Sequence, residues 1–336
     1  MASRAVLPLH LVTGFLGSGK TTLINRVLRE PGFAGSMVVV NEFGEVGLDH
    51  LLAGSAQDQV LLLDSGCLCC AASGSLRDTL IDLFSRRAAG SLPPFDRLIV
   101  ETSGLANPGP IVAGLLGDSA LKGRCELAQV LVLVDAVHGG ATLERHQEAV
   151  RQVAFADRIV LTKAAQAAGQ AQAMADRIRQ LNPDADFVVM ADAAPAAAYF
   201  EQAVRRAQPG AAGWVRGPLR SQYGDGGAAH GAAFAAIGSQ VFQLPGAVPW
   251  PAYAHWCDQL RRRFGARLLR CKGLLALGDE GRAHVVQGVQ GFFAPPQPYG
   301  GPPAKGFIVC IAEGVPREDL AAAFELLQPT TTGTLT

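Results

Sequence analysis

Several things are scarce in this chain of 336 residues. Charge is one: 29 basic residues balance 29 acidic ones, together 17% of the chain, and the formal net charge is zero. Such a balance leaves no electrostatic footprint for nucleic acid or for an anionic membrane surface, and neither is expected as a partner. Long apolar runs are missing too. No uninterrupted stretch reaches the roughly 18 residues that would suggest a membrane span. The opening MASRAVLPLHLVTGFLG contains His10 and runs straight into a glycine loop, so it lacks the form of a secretory signal. Cysteine is limited to seven positions, odd in number and partly clustered. That is no disulfide framework, and a reduced, cytoplasmic setting is expected.

Apolar residues, by contrast, make up 49% of the chain, enough for a sizeable core. Between about 7 and 190, short runs rich in Val, Ile and Leu recur: LPLHLVT, MVVVN, QVLLLD, RLIVET, QVLVLVD, DRIVLTK and FVVM. Segments with helical spacing, such as TTLINRVLRE and SLRDTLIDLFSRR, separate most of them. Near-continuous apolar strands alternating with helices predict an α/β fold with a mainly parallel sheet of the P-loop NTPase kind, covered by helices. A first domain over 1–204 is expected. A Gly/Ala-rich linker without clear period follows over 205–235. The pattern of 236–330, strand, helix, three strands, helix, predicts a smaller C-terminal α+β domain.

GFLGSGKT matches G-x-x-x-x-G-K-[ST] through Gly14, Gly19, Lys20 and Thr21. It follows a strand and opens a helix, the context that gives this motif its meaning. Glycines let backbone N–H groups curl around phosphate oxygens, and the helix N-terminus adds positive potential. Lys20 is expected at the β and γ phosphates and the Thr21 hydroxyl at Mg²⁺. This is the signature of a nucleotide-binding protein.

The other motifs fall at the same sheet edge, where ligands of such sheets bind. VVVNEFGEVGLDH carries Glu42 and Glu45 on a glycine-containing loop suited to sensing a metal or the γ-phosphate; an ordinary solvated loop is the alternative. LIVETSGLANP places Glu101 at a strand end with Gly104 three residues on. That is where P-loop proteins keep a carboxylate for the metal shell or the attacking water, unless Glu101 merely caps the next helix. VLVLVDAVHG puts Asp135 at another strand end, as a site residue or a turn carboxylate.

GCLCC packs Cys67, Cys69 and Cys70 into four positions after an apolar run. Thiolates suit Zn²⁺, which takes four donors, or three and an open position. A turn at Ser65 and Gly66 brings two or three of them to one ion, with Glu42 or water completing the shell. A redox pair and inert packing are the alternatives. Cys69 and Cys70 are adjacent and would form a strained ring, although Cys67 and Cys70 have C-x-x-C spacing. Cys125, Cys257, Cys271 and Cys310 stand singly and read as core or surface residues.

Together, TGFLGSGKTTLINRVL, VNEFGEVGLDHLL, GCLCC, ETSGLANPGPI, VDAVHG and FADRIVLTK resemble the CobW-type family of P-loop GTPases, relatives of the nucleotide-binding proteins that mature hydrogenase and urease. LLRCKGLLAL and VVQGVQGFF resemble that family's C-terminal domain. The resemblance implies GTP and Mg²⁺ binding, hydrolysis, and carriage of zinc or another transition metal such as cobalt to a client metalloenzyme. It implies phosphate and Mg²⁺ roles for Gly14, Gly17, Ser18, Gly19, Lys20, Thr21 and Thr22. Lys20 and Glu101 become the catalytic pair, with Gly104 beside them, and Thr162 and Lys163 the start of the base-reading segment. Glu42, Cys67, Cys69 and Cys70 become the transition-metal ligands. Two departures stand out. The family's T-K-x-D is TKAA here, with Ala165 where a carboxylate reads guanine. The His-rich stretch of many relatives is reduced to His230, so no auxiliary metal-storage tail is expected.

The expected mechanism is a metal-transfer switch, in which triphosphate orders the Glu42 and Gly104 loops and hydrolysis relaxes them. No arginine finger stands in the motifs, so turnover of about one per second or less is expected. An ATP-using P-loop enzyme and a nucleotide-gated adaptor that recruits a client are the alternatives, and a homo-oligomer is left open.

Overall fold

The computed structural model describes residues 6–40, 60–62, 73–167, 169–191, 193–201, 236–244, 246–301 and 306–327. The chain divides into two compact units, Met1–Ala203 and Val204–Thr336.

The first unit is built on a seven-stranded sheet in the order β3-β2-β4-β1-β5-β6-β7, every pairing parallel. Its strands are β1 (Leu7–Thr13), β2 (Ser36–Val40), β3 (Val60–Leu62), β4 (Arg97–Glu101), β5 (Cys125–Asp135), β6 (Arg158–Thr162) and β7 (Asp186–Val189). Apart from β7, those with described side chains are buried along most of their length, as apolar runs covered on both faces must be. Among the described residues six α-helices accompany them: α1 (Lys20–Val27), α2 (Ser73–Ala88), α3 (Pro108–Gly117), α4 (Gly139–Arg145), α5 (Gln147–Phe155) and α6 (Gln170–Leu181).

β1 lies at the centre, with Val12 opposite Glu101 of β4 and Thr13 opposite Val132 of β5, while Asp135 faces Thr162 of β6. This register brings the carboxyl ends of four strands to one edge. The α/β expectation is met, and the strands read from the sequence pair in parallel. The unit's last described segment is clamped from inside: the buried Arg158 guanidinium donates to the carbonyls of Ala198 (2.9 Å), Tyr199 (3.1 Å) and Glu201 (2.8 Å) and bonds Asp186.

The second unit is an antiparallel sheet, β11-β10-β9-β13-β8 with β12 on β10. It comprises β8 (Ile237–Leu244), β9 (Leu268–Leu277), β10 (Arg282–Val289), β11 (Phe292–Phe293), β12 (Gln297–Pro298) and β13 (Gly306–Glu313), with α7 (Trp250–Phe264) and α8 (Arg317–Phe324). α7 shows why its sequence is a helix. Tyr253, Trp256, Leu260 and Phe264 recur at helical spacing and are its buried face. Pro251 sits in the first turn, Arg261, Arg262 and Arg263 complement the dipole in the last, and Gly265 ends it. Trp256 is fully buried among Phe293, Phe324 and Tyr253.

Cys271 and Cys310, read from the sequence as core or surface residues, are core residues: they are register partners on β9 and β13, and their sulfurs lie 3.3 Å apart. Burial pushes the nearby Cys257 thiol to about 12 and holds that of Cys271 well above its usual range. All three thiols serve packing.

Candidate functional site

The loop between β1 and α1 turns on glycines with backbone conformations that L side chains rarely adopt: φ is 143° at Gly14, 73° at Gly17 and 94° at Gly19. At Gly14 a Cβ would also lie 2.4 Å from the Leu133 carbonyl oxygen, so only glycine lets the loop rest on β5. The loop is tied from inside by Ser18 N–H to the Phe15 carbonyl (3.1 Å). From β6, Thr162 Oγ1 donates to the Ser18 carbonyl at 2.9 Å, and Lys163 Nζ, just beyond the strand, donates to the Gly17 carbonyl at 2.9 Å.

Helix α1 begins without a side-chain cap and without an acidic residue in its first turn, so the positive end of its dipole faces the loop. Lys20, 9% exposed, folds over the same loop and donates to the Gly14 carbonyl (2.9 Å) and that of Phe15 (3.4 Å). Beside it Thr21 Oγ1 donates to Glu101 Oε1 at 2.6 Å. Thr22 follows, exposed. Glu101 caps no helix: α3 is capped by Asn107, whose side chain accepts from Gly109 N–H at 3.0 Å.

Further contacts fix the segment after Glu101. The Thr102 hydroxyl donates to that of Thr13 at 2.7 Å. Gly104 is pressed against the phosphate loop, where a Cβ would lie 2.7 Å from Leu16 N and 2.8 Å from its Cα. The Gly104 and Ala106 carbonyls are held by Nε2 of Gln152 on α5, at 3.0 and 3.1 Å. Nothing in the sequence motifs pointed to Gln152. Its one signal is an amide on the buried side of α5, between Ala149 and Val153.

At the next strand ends Lys163, in the left-handed region with φ 56°, pairs with Asp135 Oδ2 at 2.7 Å. Burial pulls the Asp135 carboxyl upward. Hydrogen bonds from Lys163 and from the Val137 and His138 N–H groups outweigh it and hold the group below the usual carboxylate range. Ala165 is exposed in the short turn Ala164–Gln166 and offers a methyl group where a side-chain acceptor would stand.

The geometry thus gathers Gly14, Gly17, Ser18, Gly19, Lys20, Thr21, Glu101, Gly104, Thr162 and Lys163 at one sheet edge. A glycine loop at a helix N-terminus, a lysine and a hydroxyl–carboxylate pair can receive an anion with a hard cation beside it. Glu42, Cys67, Cys69 and Cys70, and the linker expected over 205–235, lie outside the described residues. Among the described residues no group of three or more His, Cys, Asp or Glu side chains is placed to hold a metal ion, and no helix is long and apolar enough to cross a membrane.

Comparison with known proteins gives a consistent result. The family profile described as CobW/HypB/UreG, nucleotide-binding domain, matches residues 8–189, and that of the cobalamin synthesis protein cobW C-terminal domain matches residues 237–327. The chain is 32% identical over 324 residues to the zinc chaperone YjiA of Escherichia coli strain K12, spanning 94% of this chain and 96% of that one. It is 37% identical over 163 residues to the zinc chaperone CobW of Pseudomonas aeruginosa, 45% of this chain and 42% of that one. Among solved structures, Zn(II)-bound YjiA GTPase from E. coli matches with a TM-score of 0.68 at 28% identity, covering 97% of this chain and all of that one. A Zn(II)-bound YjiA triple mutant, with alanine at one glutamate and two cysteines, matches with a TM-score of 0.70.

Proposed function

The chain belongs to the CobW/HypB/UreG family of nucleotide-binding proteins, and from that premise we propose that it binds and slowly hydrolyses GTP and carries zinc to a client metalloprotein. The observation that carries the reading is the meeting of Lys20, Thr21 and Glu101 beside a glycine loop in a chain similar to a zinc chaperone along nearly its whole length. A reducing, cytoplasmic setting suits a protein whose cargo ligands are thiolates.

In this reading Lys20 exchanges the Gly14 and Phe15 carbonyls for phosphate oxygens, and the loop amides take the β-phosphate. The donor set suits Mg²⁺, because Thr21 and Glu101 bring a hydroxyl and a carboxylate, both hard oxygens, to one place. Those two residues would hold the ion, which when bound offsets the charge developing on the transferred phosphoryl group. Glu101 also orients the attacking water, and Gly104, having no side chain, lets its backbone approach the terminal phosphate. Release of phosphate frees the Gly104 segment to shift against Leu16. That motion, with the Glu42 loop, changes the affinity of Cys67, Cys69 and Cys70 for zinc. Linkage then requires zinc to change nucleotide affinity by the same factor. With no arginine finger among the motifs, turnover is on the order of one per second or less.

The test is a competitive zinc titration of the reduced protein with a non-hydrolysable GTP analogue, then with GDP. Because the YjiA triple mutant is itself Zn(II)-bound, equivalents must be counted. The reading expects one equivalent that differs between nucleotide states and vanishes in a Cys67/Cys69/Cys70 triple-serine variant. An unchanged count in that variant, or equal affinity in both states, would sink it.

Ala165 favours one second reading, in which the nucleotide is ATP. Losing a hydrogen-bonded acceptor at the base costs on the order of 1–3 kcal/mol of discrimination. Side-by-side titration of fluorescent ATP and GTP analogues separates the two: a ratio near unity or favouring ATP replaces GTP in the proposal.

A further inference from the structure

The segment between Glu101 and α3 is short and tied at both ends. Thr102 N–H donates to the Val12 carbonyl at 3.0 Å, and Asn107 caps α3. Between them Ala106 N–H donates to the Ser103 carbonyl at 3.2 Å, which folds residues 103–106 into a turn with Gly104 and Leu105 at its corner. A glycine has the widest choice of backbone angles, so something outside it must select one. Here that is Gln152, whose Nε2 donates to the carbonyls of Gly104 at 3.0 Å and Ala106 at 3.1 Å. A peptide unit is planar, so holding the Gly104 carbonyl also fixes the direction of the Leu105 N–H.

The donor itself is firmly seated. Gln152 is 1% exposed, on the buried side of α5. The far end of that helix is held by the equally buried Asn182, whose Nδ2 donates to the carbonyls of Val153 (2.8 Å), Ala154 (3.3 Å) and Ala156 (3.0 Å). At its start His146 lies against Phe15 of the phosphate loop, with ring centroids 4.5 Å apart. Helix α5 is thus a post set against both loops of the site. Packing alone does not account for an amide at this position. Gln152 Oε1 is buried without a hydrogen-bond partner, a cost that an aliphatic side chain of the same length would avoid.

We propose that Gln152 is a positioning residue for hydrolysis: by holding the Gly104 and Ala106 carbonyls it sets the angle at which the Gly104 backbone meets the terminal phosphate. Buried as it is, it touches neither nucleotide nor metal. This role rests on the functional reading above; the clamp on the turn does not. GDP lacks the terminal phosphate, so its binding is indifferent to Gln152, whereas a bound triphosphate and its transition state feel the loss.

Two measurements on the full chain test the clamp and the role separately. Gln152→Met keeps the length of the side chain and has no donor. Hydrogen exchange by mass spectrometry, without nucleotide, should become at least about fivefold faster over residues 102–107 and stay unchanged in α6. In the same variant kcat and affinity for a non-hydrolysable GTP analogue should each fall about tenfold, with GDP affinity kept within about twofold. Gln152→Glu adds a signature that lost packing would not give. Its carboxyl donates one hydrogen bond when protonated and none when ionised, so kcat per folded molecule should fall, relative to the parent, as pH rises from about 5 to about 8. Far-UV circular dichroism normalises each rate to folded protein. If Gln152→Met does not fold, Gln152→Asn replaces it, with the amide one methylene short of both carbonyls. Unchanged exchange over 102–107 would overturn the clamp. Faster exchange with the parent's kcat and analogue-to-GDP ratio would overturn the positioning role and leave a structural bond. A parent chain that binds no nucleotide removes the functional reading and this role with it, before any variant is made, while exchange still reports on the clamp.

Discussion

In the first unit Lys20, Glu101, Asp135, Gln152, Arg158 and Thr162 are all buried, whereas in the second Arg270 is the one buried hydrophilic side chain among the described residues. The second unit fills its interior with Trp256, Phe264, Leu260 and Phe324 and buries the Cys271–Cys310 thiol pair. Burying a polar group is unfavourable unless it is matched, and a matched network is rigid and sensitive to any missing partner. The first unit accepts that cost through Glu101, Asp135 and Thr162 at the carboxyl ends of β4, β5 and β6, where a parallel sheet receives its ligands, and also through Arg158 at the amino end of β6. Among its described residues the second shows no comparable concentration, and their architecture is explained by burial of aromatic and aliphatic surface.

The comparison is open to experiment, and the largest effect is expected in the second unit. Trp256→Ala should cost about 3–5 kcal/mol by loss of packing and creation of a cavity, measured as denaturant unfolding. Nucleotide affinity of the folded fraction should not move, and a parallel loss would break the division of labour.

Next comes pH. Burial, with a smaller contribution from the Arg97 charge, lowers His10 from 6.5 to about 4. Between those values the unfolded chain binds a proton that the folded chain refuses. Stability therefore falls as pH drops from 6.5 toward 4, by about 3 kcal/mol over the window. His10→Phe should flatten that slope in unfolding curves at pH 7 and pH 4, and an unchanged slope would show that other groups set it.

Lys20→Ala should lower affinity for GTP about 100-fold, or roughly 3 kcal/mol, while the melting temperature moves little. Stability lost in proportion would mean that the lysine serves the loop and not a ligand. The smallest effect is Asp135→Ala, which leaves the Val137 and His138 N–H groups and the half-exposed Lys163 without their carboxylate. About 1 kcal/mol of stability is expected to go, since solvent screens the exposed side of that pair. A double cycle with Lys163→Met would sharpen it by isolating the ion pair.

Much of this was legible beforehand because it is local. GFLGSGKT names a turn, a helix start and a lysine in one stretch, and RLIVE can hardly be other than a buried strand carrying a carboxylate at its end. Capping by Asn107 rather than Glu101 was not legible, because N-P-G-P also fits an ordinary turn and only geometry shows which side chain reaches the helix. Cys271 and Cys310 are 39 positions apart in the chain, and no spacing rule announces that two strands will set them side by side.

By itself, then, the sequence determined the alternation of strands and helices, the glycine loop and the residue types a phosphate requires, since these follow from backbone sterics and periodicity within a few residues. Tertiary structure alone decided that Thr21 meets Glu101, that Leu16 backs onto Gly104, that Thr162 and Lys163 hold the loop from β6, and that Gln152 of α5 holds the Gly104 carbonyl. Each of those contacts joins segments distant in the chain, and their distances are set by sheet register and helix packing, which no single segment encodes.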